Sequence, residues 1–236
     1  MNGLTEGFRW IADPMHWTGS DRIPLRLMQH VELSAAAIVI AALIALPIGL
    51  AVGHTHRGEV LAVQIANLGR AIPSLAILSL AFIVAVYLFP SYAFGFLPTL
   101  LALTLLGIPS ILVNTYVGIQ QVDPDIVEAA RGMGMSGREV LFGIEVPLAM
   151  PLIVTGLRLA AVTIVATATL SALIAGGTLG RYIVDGYAQQ DIPKVVGGSI
   201  LIAALAIVTD VLFSLLRRVT APRLSSSAKR PAPVPA

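Results

Sequence analysis

Five long apolar segments constrain this chain of 236 residues more than any other feature. A helix needs roughly 20 apolar residues to cross about 30 Å of hydrocarbon, whereas strands of a membrane barrel are about half as long and alternate in polarity. The sequence therefore predicts an all-α integral membrane protein of about five spans. The predicted spans cover residues 31–53, 60–89, 97–119, 147–174 and 195–216.

Composition supports lipid as the solvent of this chain. Hydrophobic residues make up 56% of the sequence and charged residues 12%, with a mean hydropathy of +0.86, well outside the usual range of water-soluble domains. The net charge of +2 comes from scattered basic residues with no interleaved aromatic surface, which argues against nucleic-acid binding. The sequence has no cysteine and no His-Glu-x-x-His motif, so we expect no disulfide and no metal site.

The second apolar segment is too long for one straight crossing. Residues 60–89 are interrupted by Gly69, Arg70 and Pro73, and glycine and proline both weaken a helix interior. We therefore expect a broken span, with a short interfacial half followed by a crossing from about Ile72.

Two flanking regions lack long apolar runs. Residues 1–30 are mixed in polarity and carry Trp10 and Trp17, and they do not resemble a secretory signal. We expect an interfacial or periplasmic segment, because tryptophan suits the headgroup zone; the alternative is a flexible tail. The transmembrane domain then covers residues 31–219, and residues 220–236 form a disordered cytoplasmic tail rich in serine, proline and alanine.

Basic residues are unevenly divided between the two sides of the membrane. With the loop between the third and fourth spans placed inside, eight basic residues are cytoplasmic and five are external, as the positive-inside rule favours. The N-terminus is then outside and the C-terminus inside. The inner set is Arg57, Arg131, Arg138, Arg217, Arg218, Arg223, Lys229 and Arg230, and the outer set is Arg9, Arg22, Arg26, Arg181 and Lys194.

The polar loop at residues 123–145 predicts two short helices. Asp123, followed by proline, is typical of a helix N-cap, and Gly134 suits the left-handed position that ends a helix. Ser136 and Glu139 have the spacing of a capping box. A helical hairpin at the cytoplasmic mouth of a bundle is shaped to dock into a groove of another protein, although an ordinary structured loop is the alternative.

One face of the first of these helices is predicted to be apolar. Ile126, Ala130 and Met133 recur at helical spacing. Methionine adapts well to a partner surface, so we expect this face to make the contact.

The hairpin resembles the EAA motif of ABC importer permeases. Glu128-Ala129-Ala130, Gly134, Ile144 and Val146-Pro147 follow its spacing, with valine where leucine is commoner. The resemblance implies the type I ABC importer permease fold, with this segment as the cytoplasmic coupling helix that docks into a separate ATPase. The ATPase-coupling residues it implies are Glu128, Ala129, Ala130, Arg131, Gly132, Gly134, Ile144 and Pro147.

Residues from about 70 to 180 resemble the osmoprotectant branch of that family. This implies a permease for glycine betaine, choline, carnitine or a related quaternary amine; the alternative is another small solute such as an amino acid. The chain departs from the branch at Val113, where arginine is frequent, and at residues 175–178, where the branch has a more regular glycine-rich run. The similar segments are Arg70-Ala71-Ile72-Pro73-Ser74-Leu75-Ala76, Asn114-Thr115-Tyr116-Val117-Gly118, Asp123 to Met135, and Ala168-Thr169-Leu170 to Leu179-Gly180.

The resemblance also implies partners. A nucleotide-binding P-loop ends in Lys-Ser or Lys-Thr, but the only lysines are Lys194 and Lys229, in other contexts. We therefore expect no cofactor and no enzymatic activity in this chain, with ATP and Mg²⁺ bound by two partner ATPase subunits. A second permease copy or a paralogue, an extracytoplasmic substrate-binding protein and a bacterial inner-membrane location are also implied.

Polar residues inside the apolar segments are candidates for the translocation pathway. Polar groups in membrane helices are costly and frequently functional, but Ser, Thr and Asn also pack helices. Glycines after the fourth span suit a periplasmic gate or a plain flexible loop. The predicted pathway and gate residues are Pro73, Ser74, Asn114, Thr115, Tyr116, Thr163, Thr167, Gly176 and Gly177.

Three charged residues in the spans have structural interpretations. Arg70 and Arg158 lie near the inner ends of their spans, so we expect them to extend to the interface. Asp210 is expected to pair with an arginine such as Arg217 or Arg158 rather than to relay protons.

Two other classes of protein share single features with this sequence. Gly134-Met135-Ser136-Gly137 matches the short serine motif of rhomboid proteases, but all four histidines precede it and Ser136 is predicted to be a helix cap. An ion-driven secondary transporter usually shows internal repeats and midplane carboxylates, and Asp210 is the one candidate carboxylate. Both classes are disfavoured.

Overall fold

A computed structural model of the protein describes residues 3–220, apart from the side chain of Arg70. In this part of the chain, 3₁₀ turns cover Pro14–Trp17, Pro90–Tyr92 and Ala168–Ile174, and a π-helical turn covers Leu141–Glu145. The α-helices of the same part are α1 (Gly3–Ala12), α2 (Ile23–Thr55), α3 (Glu59–Ala71), α4 (Ser74–Leu88), α5 (Phe96–Gln120), α6 (Pro124–Gly132), α7 (Gly137–Val140), α8 (Val146–Thr167), α9 (Gly180–Gln189) and α10 (Ile192–Thr220).

Four helical segments of the described residues are long and apolar enough to cross a membrane. They are α2, α5, the continuous run from α7 to residue 174, and α10. The pair α3 and α4 meets at 95° and gives a fifth crossing if it is counted as one. Pro73 caps the start of α4 at this bend, so the predicted break in the second apolar segment is present.

Helix α5 forms the centre of the bundle, between α2 and α8. Glycines bring the helices together: a Cβ added at Gly49 of α2 would lie 2.8 Å from Thr115 Cβ of α5, and one at Gly156 of α8 would lie 2.7 Å from Asn114 Cβ. Close approach through small residues is the usual way in which membrane helices gain packing energy. The bundle therefore depends on the absence of side chains at these positions.

Helix α2 extends beyond the N-terminal end of the first predicted span, 31–53. Helix α2 begins at Ile23, with Pro24 in its first turn, where proline is well tolerated. No break separates residues 23–30 from the apolar run. The last helix also extends beyond the predicted 195–216 to Ile192–Thr220, and the predicted disordered tail lies outside the described residues, apart from Thr220.

The N-terminal segment is folded against α9 and the N-terminal part of α10. Trp10 is buried, and a Cβ added at Gly197 of α10 would lie 2.5 Å from its ring. The ring of Tyr182 meets Trp10 edge-on at 5.0 Å. The flexible-tail alternative is therefore wrong for residues 3–22, because this segment has its own packing contacts.

A hydrogen bond from Tyr182 also holds the N-terminal segment against α9. Tyr182 Oη donates to the carbonyl oxygen of Asp21 at 2.7 Å, and burial raises the pKa of the Tyr182 phenol well above its ordinary value. The hydroxyl is therefore protonated at physiological pH and available as a donor. Trp17 is 46% exposed, which agrees better with the expected headgroup position than the buried Trp10 does.

Candidate functional site

The first helix of the predicted hairpin is α6, and its ends have the expected geometry. Asp125 N–H donates to Asp123 Oδ1 at 3.0 Å, with Pro124 at the first helical position. The chain leaves the helix through Gly134, whose φ is +88°. A left-handed residue is what this turn requires, so the predicted cap and stop are both confirmed.

The capping box at Ser136 is also confirmed. Ser136 N–H donates to Glu139 Oε2 at 2.7 Å, and Glu139 N–H donates to Ser136 Oγ at 3.4 Å. The Ser136 hydroxyl donates to the same carboxylate, and together with the Ser136 backbone it lowers the pKa of Glu139. Glu139 is thus charged at neutral pH, when this cap forms.

The second predicted short helix is not a separate element, which corrects the sequence analysis. Helix α7 continues through the π turn at Leu141–Glu145 into α8, so it is the N-terminal start of the fourth span. Pro147 cannot donate a hydrogen bond to residue 143, and its ring would crowd that carbonyl in a regular α-helix. The wider π turn accommodates the proline. Helix α7, the π turn and α8 therefore form one continuous helical rod.

The outer surface of the hairpin carries apolar side chains. Ile126 is 44% exposed and Met133 is 77% exposed, with Ala129 and Gly132 also at the surface. Ala130, which the sequence analysis placed on the same apolar face, is buried at 1%. The exposed contact surface is therefore made by Ile126 and Met133, and Ala130 seats α6 on the protein.

A polar crevice lies behind α6, against the C-terminal ends of α2 and α5. It has a volume of about 200 Å³, and Glu128, Arg131 and Glu145 are among the residues that line it. Of the other predicted coupling residues, Ile144 is partly buried in the π turn and Pro147 is exposed at the start of α8. The hairpin thus brings Glu128, Arg131 and the Ile144 to Pro147 segment to one end of the bundle.

Three predicted pathway residues on α5 are engaged in packing. Asn114 Nδ2 donates to the Ser110 carbonyl at 2.8 Å, and Thr115 Oγ1 donates to the Ile111 carbonyl at 2.7 Å. Thr115 is fully buried and Tyr116 is 6% exposed. Their surroundings favour the packing interpretation, and a pathway role stays a prediction.

Four further predicted pathway residues lie on two separate parts of the bundle. Pro73 and Ser74 form the bend between α3 and α4. Thr163 is exposed on α8 and donates to the Leu159 carbonyl, while Thr167 is the last residue of α8 and partly buried. The single chain does not bring these groups into one site.

The segment after α8 folds into a tight hydrogen-bonded turn. Ala175 ends the 3₁₀ helix with φ of +64°. Ser171 Oγ and Thr178 Oγ1 are 2.9 Å apart, and Thr178 Oγ1 also donates to the Ala168 carbonyl. A Cβ added at Gly176 would lie 2.6 Å from Ser171 Oγ. The plain flexible loop is therefore wrong, because the segment is fixed by its own contacts.

Gly176 and Gly177 line a cavity of about 220 Å³ beside this turn. Its wall includes Gln29 and Glu32 from α2 and Phe96 from α5. Glu32 is exposed and makes no hydrogen bond or ion pair with the residues that the structure describes. Sequence reasoning missed Glu32; the available signal was a lone carboxylate at the edge of the first apolar run.

Arg158 and Asp210 join α8 to α10. Arg158 Nε and Nη2 donate to the two carboxylate oxygens at 2.6 and 2.8 Å. The expected pairing of Asp210 with an arginine is confirmed. The guanidinium of Arg158 is held by this bidentate bond, and its expected extension to the interface stays a prediction.

The fold and the hairpin together define a membrane-embedded permease subunit of an ABC importer. Residues 37–226 match the family described as "Binding-protein-dependent transport system inner membrane component". The match covers well over half of the chain, and this protein belongs to that family.

Curated relatives match most of the chain. It is 32% identical to the glycine betaine/carnitine/choline transport system permease protein OpuCB of Bacillus subtilis (strain 168), over 83% of this chain and 87% of that protein. It is 31% identical to the choline transport system permease protein OpuBB of the same organism, over 87% and 91%. It is also 31% identical to the osmoprotectant import permease protein OsmW of Salmonella typhimurium (strain LT2), over 83% and 90%.

Solved structures agree with the fold. An inward-facing structure of the MetNI methionine ABC transporter matches with a TM-score of 0.75 and 18% identity, over 89% of this chain and 99% of that chain. The crystal structure of an amino acid ABC transporter with histidines matches with a TM-score of 0.64 and 24% identity, over 84% and 92%. These likenesses establish the type I importer permease fold in a multi-pass inner-membrane protein.

Proposed function

We propose that this permease carries quaternary-amine osmoprotectants such as glycine betaine, choline or carnitine across the bacterial inner membrane. The support is the set of curated relatives, whose names specify these solutes and which match more than four-fifths of the chain. The sequence segments that resemble the osmoprotectant branch lie on α3 to α6 and around the turn after α8. They include the first helix of the hairpin and Ser171, at the cavity beside that turn.

The hairpin is the single feature that carries the coupling proposal. Ile126 and Met133 present an apolar surface of the kind that docks into a groove, and Glu128 and Arg131 lie beside it at the crevice. Two partner ATPases would each bind one hairpin of a permease pair, which is either two copies or a copy and a paralogue. ATP and Mg²⁺ belong to those partners.

The continuous rod of α7, π turn and α8 gives the hairpin a direct route into the membrane. When the ATPases close on nucleotide, displacement of the hairpin would move α8 with it, since no loop intervenes. Rigid-body movement of this kind is a common way to switch a transporter between its two accesses. In this arrangement the hairpin and the C-terminus are cytoplasmic and α1 is external.

The cavity lined by Gln29, Glu32, Phe96, Gly176 and Gly177, here called the outer cavity, is suited to admit such a solute. A carboxylate attracts an ammonium group, and an aromatic face attracts it through its quadrupole; Glu32 and Phe96 supply one of each. One aromatic ring is far from a full cage, so binding here is weak and transient. Gly176 and Gly177 form the opposing wall as the periplasmic gate, and an extracytoplasmic binding protein would deliver the solute to it.

Uptake by the assembled transporter tests the proposal. The chain is co-expressed with its ATPase and binding protein, and uptake of radiolabelled glycine betaine, choline and carnitine is measured with methionine and histidine as comparison solutes. We expect quaternary-amine uptake that vanadate abolishes. Amino-acid uptake alone would overturn the solute, and uptake that continues without any ATPase would overturn the ABC mechanism in favour of an ion-driven carrier.

Reversing one charge in the hairpin tests the coupling role. Glu128→Lys places a second cation in the polar crevice that Arg131 also lines, and like charges that share a crevice repel each other. We expect ATPase association and transport to be lost while the permease still accumulates in the membrane. Glu6→Lys, on α1 and away from the hairpin, is the matched control and should still transport.

A further inference from the structure

The inner end of α2 is tied directly to the base of the hairpin. His54 Nδ1 lies 2.6 Å from Glu145 Oε2, so the imidazole N–H donates to the carboxylate. The His54 side chain is 19% exposed and that of Glu145 is 6% exposed. A pair this short and this sheltered from water is much stronger than an exposed surface pair.

The hairpin is also shaped to receive the histidine ring. A Cβ added at Gly137, the first residue of α7, would lie 3.4 Å from His54 Nε2. The ring of His54 therefore lies beside Gly137 and is bonded to Glu145. Glu145 is the last residue of the π turn, and π turns recur at functional positions in helices.

Helix α2 extends from this contact to the opposite end of the protein. It is one continuous helix of 33 residues, and Gln29, Glu32 and Leu33 on its outer half line the outer cavity. A displacement of His54 is thus a displacement of the same helix that forms one wall of that cavity.

We propose that the His54–Glu145 pair fastens α2 to the coupling hairpin, so that the hairpin moves the wall of the outer cavity together with α8. The pair is a positioning element that transmits movement and touches no solute. This inference rests on the proposed coupling role of the hairpin and adds the residues through which the hairpin acts on the first span.

The experiment measures how much solute is moved for each ATP hydrolysed. The complete transporter, with its ATPases and binding protein, is reconstituted in proteoliposomes and supplied with radiolabelled glycine betaine. Glu145→Gln and His54→Ala each remove the charge-assisted bond, and Glu145→Gln keeps the shape of the side chain. We expect solute moved per ATP to fall about tenfold, within the usual range of coupling energies, while ATPase binding and hydrolysis persist.

The reversed pair separates a link from a purely structural role. The double variant His54→Glu with Glu145→His can form the same bond in the opposite direction, and we expect it to recover most of the lost ratio. His56→Asn is the matched control, because His56 is exposed, lies two residues further on and has a left-handed backbone that asparagine tolerates. It should keep the ratio of the unmodified protein.

Two results would overturn the inference. One is an unchanged ratio in Glu145→Gln, and the other is a reversed pair no better than the single variants. Failure of the proposed solute or mechanism shows differently, as an absence of ATP-dependent glycine betaine uptake in the unmodified transporter.

Discussion

Single residues with unusual backbone angles define the two ends of this protein. Gly134, with φ of +88°, makes the turn of the hairpin, and a side chain there would meet no other atom within 4 Å. Ala175, with φ of +64°, makes the turn beside the outer cavity. Space is therefore not what selects glycine at position 134; the left-handed backbone is.

Gly134→Val tests the hairpin turn at its most sensitive residue. A β-branched side chain in a left-handed conformation costs roughly 1–2 kcal/mol, which corresponds to a factor of about 5 to 30 in an equilibrium. We expect uptake to fall by about that factor while membrane expression is maintained. Gly3→Ala, at the start of α1 with open space around it, should transport normally.

Equal uptake by Gly134→Val and Gly3→Ala would show that the turn does not set the position of the hairpin. Valine is a sharper test than aspartate, because Asp and Asn adopt the left-handed conformation more readily than β-branched residues do.

Ala175→Gly is expected to stabilise the protein. The change removes the backbone strain of a left-handed alanine, about 1 kcal/mol, and part of this gain is offset by the larger conformational entropy of glycine in the unfolded chain. Ala166→Gly, on the exposed side of α8, should instead lower stability by a similar amount, since glycine weakens a helix interior. Apparent melting temperatures in detergent, read by size-exclusion chromatography, compare the two; a shift in the same direction for both would contradict the expectation.

At the scale of elements, the joins between helices matter more than the helices themselves. The hairpin continues into α8 through the π turn, and α8 is joined to α10 by the Arg158–Asp210 pair. Helix α10 contributes little to the buried core, since 6% of its most apolar window is buried. The ion pair is one of the contacts that attach α10, together with its packing on α1, α8 and α9.

Asp210→Asn tests this attachment. It leaves the guanidinium of Arg158 without its carboxylate within an apolar helix, which is unfavourable in a membrane. We expect less folded protein after detergent extraction, and recovery in the reversed pair Arg158→Asp with Asp210→Arg. Asp185→Asn removes the i,i+4 partner of Arg181 on α9, and such surface pairs contribute little, so this control should behave like the unmodified protein.

A reversed pair that remains as poorly folded as Asp210→Asn would assign the effect to the individual positions. The measurement in each case is the monodisperse fraction by fluorescence-detected size-exclusion chromatography.

Local rules predicted the parts of the structure that local interactions determine. The cap at Asp123, the left-handed glycine at 134, the capping box at Ser136 and the bend at Pro73 all follow from a few neighbouring residues. The continuity of α7 with α8 was not predicted, because polar residues and a proline read as a boundary when the π turn is unknown.

Contacts between distant parts of the chain were largely out of reach of the sequence. Nothing local pairs His54 with Glu145, 91 residues away, or places Trp10 against Gly197. Charge alone indicated that Asp210 needs an arginine, but only the packing of α8 on α10 selects Arg158. The family resemblance indicated the proposed function of the hairpin. Its geometry by itself indicates only a docking surface.

At the scale of the whole molecule, the topology can be mapped directly because the chain has no cysteine. Single cysteines at Thr18, beside α1, and at Met133, on the hairpin, are both in exposed positions. With a membrane-impermeant maleimide on intact spheroplasts, we expect Thr18→Cys to be labelled at once. Met133→Cys should be labelled only after the membrane is permeabilised.

Labelling of Met133→Cys before permeabilisation would place the hairpin outside and contradict the ATPase-docking role. Asp125→Cys, exposed on the same hairpin, should give the same pattern as Met133→Cys and controls for local accessibility.

Helix α2 is longer than the membrane that it crosses. Its 33 residues span about 50 Å at 1.5 Å per residue, against about 30 Å of hydrocarbon. A helix in this situation tilts or projects, and the balance changes with the thickness of the bilayer. The acyl-chain length of the lipids should therefore change the tilt of α2. We expect the transporter to turn over at different rates in vesicles made from short-chain and from long-chain lipids.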